Sequence, residues 1–70
     1  MNQRISGRIK SFDANRGSGF IERQGGKDVF FHISAIRTIA YRTLHAGQAV
    51  EFAIEQSPKG PQAVKIVLTH

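Results

Sequence analysis

Cysteine is absent from the 70 residues, which excludes disulfide staples and cysteine-based zinc sites and is compatible with a reducing compartment. No apolar run approaches the roughly 20 residues that a membrane-spanning helix needs, and residues 1–7 lack the hydrophobic core of a secretory signal. A soluble cytoplasmic protein with no membrane partner is therefore expected. Acidic residues are few: five Asp and Glu stand against ten Lys and Arg, a formal net charge of +5. That bias suits polyanions or acidic surfaces, although charge alone would serve a generic soluble surface as well. Linkers, low-complexity tracts and internal repeats are also missing, so residues 1–70 read as one domain. A domain this short buries about 60% of the surface its unfolded chain exposes, leaving little core for an enclosed catalytic cavity.

What the chain does contain is period-two alternation. Ser18-Gly19-Phe20-Ile21-Glu22-Arg23 and Asp28-Val29-Phe30-Phe31-His32-Ile33 both alternate, with Gly25-Gly26 between them. This is the pattern of a β-hairpin with two chemically different faces. Ser18, Phe20 and Glu22 share one face with Asp28, Phe30 and His32, while Ile21, Val29, Phe31 and Ile33 share the other. A strand pair that must bury one face has no need of aromatic rings on its second. Rings facing water beside positive charge suit flat ligands, nucleobases above all. The competing reading is an aromatic cluster that only stabilises the sheet through cross-strand contacts.

Other strands flank this hairpin. Ile5 to Phe12 alternates, with Ile5 and Ile9 inward and Arg8, Lys10 and Phe12 on the other face; Gly7 marks a bend or bulge. Residues 34–48 are expected to hold a single helical turn at Ser34 to Arg37 followed by a long loop. A helix carrying Ile36, Ile39, Ala40 and Leu44 is disfavoured, because Thr38, Ile39, Tyr41 and Thr43 are mediocre helix formers. Ala49 to Glu55 is a strand with Val50, Phe52 and Ile54 inward. Ser57 to Pro61 is a turn, and Gln62 to Thr69 the last strand, with Val64, Ile66 and Leu68 on one side. Five short strands and no long helix fit an all-β fold. A five-stranded antiparallel Greek-key barrel of the OB type removes exposed edges and lets one small core serve every strand.

Enzymatic constellations fail on spacing. Asp28 and His32, four apart on one strand, lie about 13 Å apart at about 3.3 Å per residue, too far for a triad relay with Ser34. His32, His45 and Asp28 have no recognised metal-ligand spacing, and Gly17-Ser18-Gly19 is too short for a phosphate loop. Neither catalysis, metal nor cofactor is expected.

Lys10-Ser11-Phe12, Arg16-Gly17-Ser18-Gly19-Phe20-Ile21, Asp28 to Ile36 and Lys59-Gly60-Pro61 together resemble the bacterial cold-shock proteins, in order and spacing over nearly the whole chain. The resemblance implies a non-enzymatic barrel that binds single-stranded RNA and DNA. Carried over by position, Lys10 and Arg16 match basic contacts to the strand, and Phe12, Phe20, Phe30 and His32 match stacking positions. Tyr41 stands where the family has a loop phenylalanine that stacks a further base. Asp28 matches a polar contact to a base edge and Lys59 a basic residue of the last turn. Physically, stacking accepts any base because every base has a π-face, while Lys and Arg follow the backbone.

The departures from the family pattern fall on the same platform. Ser11 replaces a tryptophan, Ser18 a phenylalanine, and Ile33 the aromatic that follows the histidine. At about 1–3 kcal/mol per stacked ring, three lost rings weaken binding by at least about a hundredfold. Arg8, Arg37 and Arg42 add charge near the expected groove. In the loop, Thr38 and Ala40 stand in place of glycines and Ile39 adds apolar surface. The leading expectation is weak-platform, salt-sensitive binding of single strands, as an RNA chaperone or a regulator of transcription or translation. The alternative is a protein-interaction or self-associating module, a homodimer for example, with weak or no nucleic-acid binding.

Overall fold

The computed structural model describes residues 4–37 and 44–69. Five strands close on themselves: β1 (Ile5–Asp13), β2 (Ser18–Arg23), β3 (Val29–His32), β4 (Ala49–Ser57) and β5 (Gly60–Leu68). Their order around the barrel is β1-β2-β3-β5-β4. Four neighbouring pairs are antiparallel, and β3 runs parallel to β5. This is the expected all-β, five-stranded barrel, and its one parallel pair has a topological reason. Strand direction cannot alternate all the way round a closed ring of five. No helix among the described residues is long and apolar enough to cross a membrane.

The core sits inside the barrel: Ile9, Ile21, Val29, Phe31, Val50, Phe52, Ala63 and Ile66 are all at most 1% exposed. Each of these side chains except the small Ala63 contributes about 1.5–3 kcal/mol by leaving water. Ile21, Val29 and Phe31 lie inside as their alternation requires, which sends Phe20, Phe30 and His32 outward. Gly19 also faces inward. A Cβ there would collide with the Ser11 carbonyl, so only glycine lets β1 and β2 approach this closely.

Two bulges redirect side chains. In β1 the register passes from Ile9↔Ile21 directly to Ser11↔Phe20, leaving Lys10 as the extra residue. Alternation therefore inverts beyond it. Phe12, expected on the outer face with Lys10, instead packs half-buried against the core, its ring 12° from parallel to Phe31 at a centroid distance of 6.0 Å. In β5 Lys65 adopts a left-handed φ of 53° within a second register shift. Ala63 and Ile66 are consequently the buried pair, and Val64, expected on the same side as Ile66, is only half-buried.

The connections are tighter than expected. Ser57 pairs with Gly60, so Pro58-Lys59 alone joins β4 to β5, with the Ser57 hydroxyl donating to the Gly60 carbonyl at 2.6 Å. After His32 the chain enters a 3-10 turn over Ile33–Ala35, one residue earlier than the helical turn expected at 34–37. Ile36 then bridges to Ile66.

Candidate nucleic-acid interface

Register builds the outer face of β1, β2 and β3. Ser11 lies opposite Phe20, Phe20 opposite Phe30, and Phe30 opposite Gln62 of β5. One step along, Asp13 lies opposite Ser18 and Ser18 opposite His32. The outer face therefore carries two parallel rows, one centred on aromatic rings and one on polar groups. Phe20 is 45% exposed, the one large apolar side chain of that exposure among the described residues. Phe20 thus presents an apolar ring to solvent in mid-sheet. Phe30 is half-buried beside it and His32 is exposed.

His32 is held rather than free. Its Nδ1 accepts from the Ser34 backbone N–H at 3.1 Å and lies 2.9 Å from the Ser34 hydroxyl. With Nδ1 acting as acceptor, the neutral ring carries its proton on Nε2. The imidazole thus offers both a flat face and a donor on the outer surface. Ser34, read from the sequence as the start of a helical turn, instead positions the imidazole, whose ring caps the 3-10 turn.

Charge lies at the margins of the rows. The Lys10 ammonium contacts Asp28 Oδ2 at 2.7 Å. That hydrogen bond, then the carboxylate charge, raises the Lys10 pKa above its ordinary 10.5. Asp28 itself precedes β3 rather than belonging to it. At the other margin Arg16 is loosely held, its Nε 3.8 Å from Asp13 Oδ2 and its side chain 83% exposed. Asp13 Oδ1 accepts from the backbone N–H groups of Asn15 and Arg16, which fixes the carboxylate. Lys59 is exposed in the β4–β5 turn, near the start of the strand that supplies Gln62. Arg8 donates to the Gly47 carbonyl.

The structure thus brings Phe20, Phe30 and His32 together on one wet face, with Lys10, Asp28 and Arg16 around it. Phe12 contributes from beneath rather than from the platform, and Tyr41 lies outside the described residues. Between Ser11, Asp13, Arg16, Ser18 and Phe20, a groove of about 270 Å³ opens over Gly19 and Phe12. A larger hollow of about 370 Å³ lies elsewhere on the barrel, near Arg8, Arg23, Gln24 and Thr69, with no aromatic ring in its wall. Among the described residues no group of three or more His, Asp or Glu is disposed to hold a metal ion.

Comparison with known proteins agrees with this geometry. The family profile described as the 'Cold-shock' DNA-binding domain matches residues 5–69. Cold shock-like protein CspB of Yersinia pestis is 53% identical over 68 residues, covering 96% of this chain and 97% of that protein. Cold shock-like protein CspB of Escherichia coli (strain K12) is 47% identical over 70 residues, covering 99% of each. Among solved structures, drosophila Unr CSD456 superposes with a TM-score of 0.82 at 24% identity, covering 99% of this chain and 28% of that one. This last likeness bears on the fold alone.

Proposed function

The chain belongs to the 'Cold-shock' DNA-binding domain family, and from that premise we propose that it binds single-stranded RNA and DNA across the outer face of β1–β3. The single observation that carries the reading is Phe20: a ring 45% exposed in mid-sheet, flanked by Phe30 and His32. Bases stack on Phe20, Phe30 and His32. The His32 Nε2–H supplies a directional donor, and Lys10, Arg16 and Lys59 follow the phosphates. Asp28 keeps Lys10 at the platform edge through Oδ2 and leaves Oδ1 for a base amino group. Phe12 supports the platform by fixing the ring of Phe31 below Gly19. Tyr41, outside the described residues, adds a further base contact by its match to a stacking position of the family.

Such a molecule works by occupancy and performs no reaction. By holding unpaired bases it disfavours hairpins, which is the action of an RNA chaperone or of a cytoplasmic regulator of transcription or translation. With serines at positions 11 and 18, charge carries a larger share of the affinity than stacking does. The test is a fluorescence titration of matched heptathymidine and hepta-uridine strands across several salt concentrations. About four neutralised phosphates give a slope of log affinity against log salt near about −3. A flat response would remove the electrostatic half of this reading.

A further inference from the structure

We propose that the groove walled by Ser11, Asp13, Arg16, Ser18 and Phe20 is a base-reading subsite that selects guanine within a bound single strand. This deepens the nucleic-acid reading above and rests on it. Where the register puts Ser11 opposite Phe20 and Ser18 opposite His32, the face has two short hydroxyl side chains, each beside one ring. The result is a groove of about 270 Å³, open to solvent, that a base can enter beside Phe20. Its walls set the two hydroxyls beside the rings of Phe20 and Phe12. Among the described residues neither serine hydroxyl has a hydrogen-bond partner, so both are available to a base edge.

The polar groups at the groove's mouth choose the base. Arg16 is 83% exposed and only loosely engaged at 3.8 Å, so its fork can turn to a guanine O6/N7 edge, the pairing that arginine geometry fits best. Asp13 is the opposite case. Two backbone N–H groups pin its Oδ1, which leaves Oδ2 directed toward Arg16 and able to accept from guanine N1–H or N2–H. Guanine alone among the bases combines an acceptor pair for Arg16 with a donor edge for the carboxylate. Adenine offers N7 beside an amino donor, which repels the guanidinium. Pyrimidines are too short to reach both side chains from one position beside Phe20.

The test is a fluorescence titration of heptathymidine strands carrying one central guanine, inosine, adenine or no substitution. Wild-type protein is expected to bind the guanine strand about tenfold more tightly than the adenine strand, with inosine, which lacks the 2-amino group, between them. Arg16→Lys keeps the charge but not the fork, and is expected to bring guanine and adenine within about twofold of each other, whatever it does to binding overall. Far-ultraviolet circular dichroism checks that the variant folds. Equal binding of guanine and adenine strands by wild type overturns the subsite, as does a guanine preference that survives Arg16→Lys. Failure to bind any strand instead overturns the nucleic-acid reading itself.

Discussion

Phe20 and Phe30 meet edge to face across β2 and β3, their planes 74° apart and their centroids separated by 5.9 Å. Edge-to-face pairs contribute about 0.5–1.5 kcal/mol beyond area burial, so the two rings brace each other as well as facing solvent. Phe20→Ala should weaken oligonucleotide binding by about 1–3 kcal/mol while lowering stability by no more than about 1.5 kcal/mol. Phe31→Ala, which empties a fully buried site, should cost about 3–5 kcal/mol of stability. Urea denaturation and fluorescence titration of both variants separate the two effects.

Restoring rings where serines stand tests the balance between stacking and charge. Ser11 lies directly opposite Phe20 on the exposed face, so Ser11→Trp adds a ring with room to lie flat. Binding to heptathymidine should tighten by at least about tenfold, since one stacked base contributes about 1–3 kcal/mol. An unchanged dissociation constant in the titration would mean that bases do not pass over this part of the sheet.

The Lys10–Asp28 contact carries a pH signature. The folded-state pKa of Lys10 is raised, so the stabilisation it brings is fully present below the unfolded value near 10.5 and is lost as pH rises through the folded value. Both groups are substantially exposed, so the effect is small. The urea midpoint of wild type should exceed that of Lys10→Met by a constant margin from neutral pH up to pH 10.5. Above that pH the margin should shrink.

Lys65 holds a left-handed backbone, with φ at 53°, that lysine tolerates poorly. Lys65→Asn relieves part of a strain of about 1–2 kcal/mol, because asparagine visits this region readily. The expected gain is about 0.5–1 kcal/mol in urea denaturation, with no change in the slope of the transition.

Much of this architecture was legible because burial writes itself into alternation. Ile21, Val29 and Phe31 read as inward, and Phe20, Phe30 and His32 as outward, and the barrel keeps both sets as read. The side chains that end on another face than expected fall where one residue is inserted into a ladder. Nothing local marks Lys10 as a bulge, because the cause lies across the sheet in the close approach of Ser11 to Gly19. Phe12 changes sides as a consequence. Lys65 is similar: a lysine gives no warning of a left-handed turn, and Ala63 rather than Val64 is buried with Ile66. Partners distant in sequence were illegible for a different reason. Lys10 and Asp28 are each ordinary surface charges until β1, β2 and the residues before β3 are assembled. The groove between Ser11 and Ser18 likewise exists only in the folded sheet, where two apparent losses of aromatic surface become one cavity.

The most direct measurement maps the bound strand onto the barrel. Uniformly nitrogen-15-labelled protein is titrated with heptathymidine and its amide resonances followed by NMR. Binding through the proposed face should move the resonances of Ser11, Ser18, Phe20, Phe30 and His32 most, with those of Lys10 and Arg16 following. Displacements centred instead on Arg8, Arg23 and Thr69 around the larger hollow, or none at saturating strand, would contradict the account.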